Sequence, residues 1–297
     1  MKTALALIAA TAISAQVFRG SADIVLLNVT VTGSDGRFVG GLNKSEFQVF
    51  EDGVLQEITN FTREQPPIAL SLVLDTSTSM EKRLSVAQEA AIGFVQRLGG
   101  GDVAQVMSFS TRAQNVQDFT ATRGDLERAI RLTRAGGSTA LYEAVYTALN
   151  ALKRVGATTP DLIRRQAIIV LSDGEDTSSL IDYDQLMDSA KRSEVIIYTI
   201  GLRSKEDGPS GGFNEADFVL RTLAQDTGGR VYHVDDAAQL NGIYQQIADE
   251  LANQYMMGYT SKNPRRDGKW RRVLVKVLRP ATGARSKTGY FAPSGPR

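Results

Sequence analysis

Three short stretches of this chain place oxygen-bearing side chains where a hard cation could be held. Asp75-Thr76-Ser77-Thr78-Ser79 sets a carboxylate and a run of hydroxyls directly after the apolar segment Ile68–Leu74. Ser172-Asp173-Gly174 sets another carboxylate after the apolar segment Ala167–Leu171. Between them, Gly136-Gly137-Ser138-Thr139 brings further hydroxyls just ahead of a segment with helical spacing. Oxygen donors with few charges suit a hard divalent ion. Mg²⁺ prefers octahedral oxygen coordination at about 2.0–2.1 Å and keeps several waters. Asp75 and Asp173 together only just neutralise such an ion. Where either acts through water, the ion stays electrophilic and can accept a carboxylate from outside, which is chemistry for binding rather than turnover. A second role for the hydroxyls is compatible with this one, because Ser77, Ser79 and Thr139 also stand where helix caps are expected.

Such a cluster needs elements that hold it. From Ile68 the pattern alternates strand runs (68–74, 103–109, 167–171, 195–200, 231–234), of which 68–74, 167–171 and 195–200 read as buried, with helical spacings (84–98, 125–132, 141–152, 183–192, 216–224, 240–251), and Val116–Phe119 reads as an edge strand. Near-continuous apolar strands mean burial on both faces. Alternation with short links predicts an α/β fold, a doubly wound and mostly parallel sheet with helices on both faces. Ligands of such sheets bind outside the carboxyl ends of the strands, where Asp75 and Asp173 fall. The flanks are different. Alternating residues from Asn28, a strand around Phe47–Phe50 and turn signals at Ser34-Asp35-Gly36 and Glu51-Asp52-Gly53 make the head β-like. Strands over 255–260, 272–278 and 288–292, with turns at 264–268 and 280–283, make the tail β-like too. The expectation is a small β-domain formed by both chain ends with the α/β unit inserted in it: head 21–66, α/β unit 67–254, tail 255–297. Lys205–Gly212, rich in glycine, reads as a loop.

At these residues the sequence resembles the von Willebrand factor type A family over about residues 66–254. The strand-ending Asp75-x-Ser77-x-Ser79, then Thr139 in Gly136-Gly137-Ser138-Thr139-Ala140-Leu141, then Asp173, stand in the order of that family's metal-ion-dependent adhesion site. The resemblance implies that Ser77 and Ser79 ligate the ion directly. It implies that Asp75 and Asp173 act mostly through water or hydrogen bonds, and that Thr139 acts directly or through water. It also implies Mg²⁺, with Mn²⁺ or Ca²⁺ as substitutes, and a protein partner that presents Asp or Glu. The flanks, Leu42…Phe47-x-Val49-x-Glu51-Asp52-Gly53 and Tyr255–Tyr259 followed by Trp270–Val277, look like those of exported bacterial proteins related to this family.

Composition removes much else. Without cysteine there is no disulfide, no thiolate metal site and no thiol nucleophile, and a single histidine, His233, cannot build a two-histidine metal site. A net charge of +1 gives no basic excess for nucleic acid. There is no phosphate-cradling Gly-x-x-x-x-Gly-Lys-Ser/Thr. His233 and Trp270 read as structural, Tyr142 equally as a core residue or, with Ser138, as part of a partner-binding face, and Glu175 and Asp176 as solvated loop charges rather than a wider acidic rim. The start of the chain reads as an export signal over residues 1–20. Lys2 precedes the uncharged apolar run Ala4–Ala15, with small residues at Ala12, Ser14 and Ala15. That run is shorter than the roughly 20 residues needed to span a bilayer. The expected protein is an exported, periplasmic or extracellular adhesion or scaffold module and not an enzyme. The rival readings are a metal-assisted hydrolase using Glu175 or Asp176 as base, and an envelope protein whose metal stabilises the fold.

Overall fold

The computed structural model describes residues 24–158, 164–202 and 215–295. The export-signal reading and the Lys205–Gly212 loop lie outside the described residues. The head comprises β1 (Ile24–Gly33), β2 (Phe47–Glu51), β3 (Val54–Gln56) and β4 (Ile58–Thr62). Asp52 and Gly53, at φ 48° and 83°, turn β2 into β3. A two-residue turn with both φ positive favours Asp-Gly. The α/β unit then runs β5 (Ile68–Asp75), α1 (Leu84–Val95), β6 (Val103–Phe109), β7 (Ala113–Thr120), α2 (Arg123–Leu132), α3 (Leu141–Thr158), β8 (Arg165–Ser172), α4 (Tyr183–Arg192), β9 (Ile196–Leu202), α5 (Glu215–Thr227), β10 (Val231–Val234) and α6 (Leu240–Ala252). The tail adds β11 (Tyr255–Thr260), β12 (Trp270–Val277), β13 (Thr282–Arg285) and β14 (Gly289–Phe291).

The central sheet has the order β10-β9-β8-β5-β6-β7. Its strands are parallel except β7, which runs antiparallel at the edge. Helices α1, α2 and α6 bury one face with Leu70, Leu72, Ala91, Ile130 and Ile247, while α3, α4 and α5 bury the other with Val73, Val145, Leu186, Ile168 and Leu223. Every residue of β5 is buried, the physical reason for its near-continuous apolar run, in which buried Ser71 accepts a hydrogen bond from Gln105 Nε2 at 2.7 Å. From β5 the chain goes to β6 on one side and later to β8 on the other, so the strand order reverses between β5 and β8. A crevice opens outside the strand ends at such a reversal. The register pairs Leu74 with Leu171, which brings Asp75 alongside Ser172.

Close backbone approach fixes one glycine in this body. A Cβ on Gly229 would lie 1.9 Å from the Ile197 carbonyl oxygen, where only backbone could yield. Gly229→Ala is expected to cost about 2–3 kcal/mol, the upper range for overpacking, read as a lower urea midpoint at unchanged slope.

The flanking strands make two four-stranded sheets, β13-β1-β11-β4 and β14-β12-β2-β3. Each mixes head and tail strands, and they share a core of Leu27, Val29, Val49, Tyr255, Met257, Val273 and Val275. β4 and β11, the strands on either side of the α/β unit, are hydrogen-bonded neighbours, so the insertion leaves and re-enters at one place. The two bodies are joined by a buried charge. Glu250 of α6 accepts hydrogen bonds from Tyr198 Oη at 2.8 Å and Thr30 Oγ1 at 3.2 Å, and pairs with Arg285 of β13. Trp270 and Phe291 pack edge to face at 5.0 Å, and Arg192 of α4 lies 4.0 Å over the Phe291 ring. Trp270 is therefore structural. Three strands differ from the sequence reading. β3 and β4 follow the Asp52-Gly53 turn unannounced, and β13 falls on the residues read as the turn 280–283. β3 and β13 are very short, and β4 alternates only loosely, with polar Thr59 and Asn60 exposed. Pairing with β2, β11 and β1 makes them strands, rather than any local pattern.

Candidate functional site

Two loops and one strand end build the rim. Backbone bonds stitch the loop after β5 to the glycine loop before α3. The Gly136 amide donates to Thr76 O at 2.8 Å, and both the Thr78 amide and Thr78 Oγ1 donate to Gly137 O at 3.0 Å. Thr76 Oγ1 in turn donates to Phe109 O at the end of β6 at 2.9 Å. Asp173, just past β8, closes the third side.

On this frame Ser77, Ser79 and Asp173 form one hydrogen-bonded chain. Ser77 Oγ lies 3.0 Å from Ser79 Oγ, and Ser79 Oγ donates to Asp173 Oδ1 at 2.7 Å. Asp75 is fully buried and held from two sides: the Ser77 amide donates to Oδ1 at 2.8 Å and Ser172 Oγ donates to Oδ2 at 2.6 Å. Burial pushes its carboxyl above the usual carboxylate range, against the opposing pull of the Ser172 and Ser77 hydrogen bonds. Among the described residues no Lys or Arg pairs with it. Thr139 is buried on the same rim, its amide donating to Thr177 Oγ1 at 3.0 Å and its carbonyl accepting the Thr177 amide at 2.8 Å. Its own hydroxyl stands outside the Ser77–Ser79–Asp173 chain.

This donor set fits a hard cation. It is all oxygen, and a serine hydroxyl that gives its proton to a carboxylate keeps its lone pairs for a metal. No group of three or more His, Cys, Asp or Glu side chains gathers among the described residues. A cation at this rim would therefore need the hydroxyls as well as the two carboxylates.

Other candidates resolve differently. Asp176 faces α3. Its Oδ1 accepts the Tyr142 amide at 3.0 Å and Ser179 Oγ at 2.6 Å, and Ser179 Oγ accepts the Glu143 amide at 2.9 Å. Together they satisfy amides that the first turn of a helix leaves open. Asp176→Ala is expected to cost about 1 kcal/mol, as loss of a cap does, with cation affinity unchanged by calorimetry. A large loss of affinity would place Asp176 in the site instead. Glu175 is exposed. Tyr142 is buried in the first turn of α3, edge-on to Tyr183 at 6.4 Å. His233 sits on β10, two strands from β8, 3.3 Å from Asp217 of α5.

A family model for the von Willebrand factor type A domain matches residues 70–246. The chain belongs to that family. Among curated proteins, inter-alpha-trypsin inhibitor heavy chain H1 of Sus scrofa is 26% identical over 201 residues, 63% of this chain and 21% of its own length. A UPF0353 protein of Mycobacterium marinum is 28% identical over 233 residues, 70% of this chain and 65% of its own. The chain spans less than two thirds of either relative. A solved structure, von Willebrand factor type A from Catenulispora acidiphila, superposes with a TM-score of 0.54 at 14% identity, covering 93% of this chain and 76% of that one. This last likeness is one of fold. Von Willebrand A domains commonly mediate protein–protein interaction and are mostly non-enzymatic.

Two neighbours of this von Willebrand A rim were not legible as such. In the sequence Ser172 is only the strand-ending residue before Asp173, yet its hydroxyl orients Asp75. Arg83 was not singled out, yet its Nη1 donates to Asp173 Oδ2 at 2.8 Å. A signal existed for Arg83. It occupies the N-cap of α1 without capping it, a position where Ser, Thr, Asp or Asn is preferred.

Proposed function

We propose that this chain is a divalent-cation-dependent protein-binding module, an adhesion or scaffold domain. Asp75, Ser77, Ser79, Thr139 and Asp173 hold one ion, Mg²⁺ first, with Mn²⁺ or Ca²⁺ as substitutes. An Asp or Glu carboxylate of a partner protein would complete the coordination of such an ion. The observation that carries this reading is the Ser77–Ser79–Asp173 hydrogen-bonded chain, set beside buried Asp75 at the carboxyl ends of neighbouring strands. The ion would supply Lewis acidity. The chain's residues would fix its place and, with a carboxylate acting through water, leave it electrophilic. The head (21–66) and tail (255–297) form the platform that carries the 67–254 domain. No helix among the described residues is long and apolar enough to cross a membrane. Export to a periplasm or the cell exterior rests on residues 1–20.

A hydrolase would need a base beside the metal-bound water. Asp176 is occupied in capping α3, which favours binding over turnover. The test uses Mn²⁺ as a probe. Bound Mn²⁺ enhances water-proton relaxation, and a peptide carboxylate that displaces a metal-bound water should lower that enhancement. The same peptide with Asn for Asp should leave it unchanged. Enhancement insensitive to both peptides would leave only a fold-stabilising metal.

A further inference from the structure

The rim described above already contains a cation. Arg83 Nη1 lies 2.8 Å from Asp173 Oδ2, while the other carboxylate oxygen takes the Ser79 hydroxyl. The Asp173 side chain is 1% exposed and that of Arg83 27%, so the pair is largely screened from water on the carboxylate side and open on the guanidinium side. Local structure gives Arg83 little reason to be there. It stands at the N-cap of α1 with no capping bond, and a positive charge at a helix N-terminus is disfavoured by the helix dipole. Asp173 is what holds it. Asp75, by contrast, has hydrogen bonds but no countercharge.

We infer that Arg83 is the resident counter-cation of Asp173 in the metal-free protein, and that divalent ions load the site by exchanging with its guanidinium. This rests on the metal reading proposed above. A carboxylate whose oxygens are both engaged, one by a fixed positive charge, presents less negative potential to an incoming ion. Removing that charge strengthens metal binding, and keeping it sets a threshold cation concentration below which the site stays closed to metal. Arg83 is thus a residue that tunes the site without being a ligand. Its side chain is long and partly exposed, so it can swing away without disturbing β5 or β8.

The experiment is calorimetric titration of Mg²⁺ into the full chain and into the R83Q and R83K variants, with thermal unfolding of each in chelator. R83Q is expected to bind Mg²⁺ about tenfold more tightly, the order expected for removing one competing charge at a partly screened site. Its metal-free midpoint should fall by a few degrees, because a charge-assisted hydrogen bond is lost. R83K, which keeps the charge, should stay near the unaltered chain in both. Binding by R83Q alone, with none by the unaltered chain, also supports the exchange. Equal or weaker binding by R83Q overturns it, weaker binding marking Arg83 as a support for Asp173 in the loaded site. In that case binding by the unaltered chain leaves the metal reading standing. Failure of all three to bind overturns both.

Discussion

Asp75→Asn is expected to cut cation-dependent stabilisation by about half or more while leaving the metal-free protein as stable as before, or more so by up to about 1 kcal/mol. The two halves of this result have one cause. Asp75 is buried and without a countercharge, so the folded chain alone gains nothing from its ionisation, and burial moves its carboxyl upward accordingly. Asparagine keeps the shape, accepts the Ser77 amide through its carbonyl and can donate to Ser172 Oγ. What it loses is the negative charge that only a cation can use. Loss of an outer-shell partner costs roughly 10–100-fold in metal affinity. At a free ion concentration 100 times the dissociation constant, binding stabilises by about 2.7 kcal/mol, and a 100-fold weaker site gives only about 0.4 kcal/mol. Chemical unfolding with Mg²⁺ and with chelator separates the two. A variant that is less stable in chelator, yet still gains from Mg²⁺, would show Asp75 to be a structural acceptor only.

Arg271→Met is expected to lower stability by about 3–5 kcal/mol, the effect of breaking a buried ion pair by removing one partner. Glu51 ends β2 and Arg271 lies on β12, both almost fully buried. Glu51 accepts from Tyr259 Oη at 2.9 Å, Tyr290 Oη at 2.8 Å and Ser261 Oγ at 2.6 Å, and pairs with Arg271 Nη1 at 3.3 Å. Arg271 also satisfies the carbonyls of Asn263 and Arg265. Without it a carboxylate stays buried uncompensated and those carbonyls lose their donor. Against a typical total of roughly 5–15 kcal/mol, the β-platform should then melt separately or the chain fail to fold. Adding Glu51→Gln should restore part of the loss, a coupling that a double-mutant cycle measures. A cost below about 1 kcal/mol would mean that water reaches the network and that head and tail are held by the apolar core alone.

How much of this was readable in the chain differs by element. β5 and β8 are legible because strands buried on both faces are apolar at nearly all successive positions, and residues 68–74, Ser71 apart, and 167–171 are. Helix α4 was legible to the residue. Asp182 caps it, with the Gln185 amide donating to its side chain at 2.8 Å, and Lys191-Arg192 end it, so composition and period agree. The association of Asp75, Ser77, Ser79 and Asp173 followed from strand ends and the rule for where α/β sheets bind. β13 was not legible, because four residues beside a turn acquire strand character only by lying against Thr30–Gly33. Arg83 was hidden for a different reason. Its meaning lies in a partner 90 positions away, and only its awkwardness as a helix cap showed locally. Asp176 looks like a solvated charge in the sequence, which gives no hint that the loop after β8 folds back over the start of α3.

The central claim is that one divalent ion sits among Asp75, Ser77, Ser79, Thr139 and Asp173. Titrating Mg²⁺ into the chelator-treated chain by calorimetry, with the Asp75→Ala and Ser77→Ala variants alongside, tests it most directly. The account predicts one ion per chain, lost in both variants while their fold, followed by circular dichroism, is kept. Saturable binding that survives in both variants, or no heat with Mg²⁺, Mn²⁺ or Ca²⁺, would contradict it.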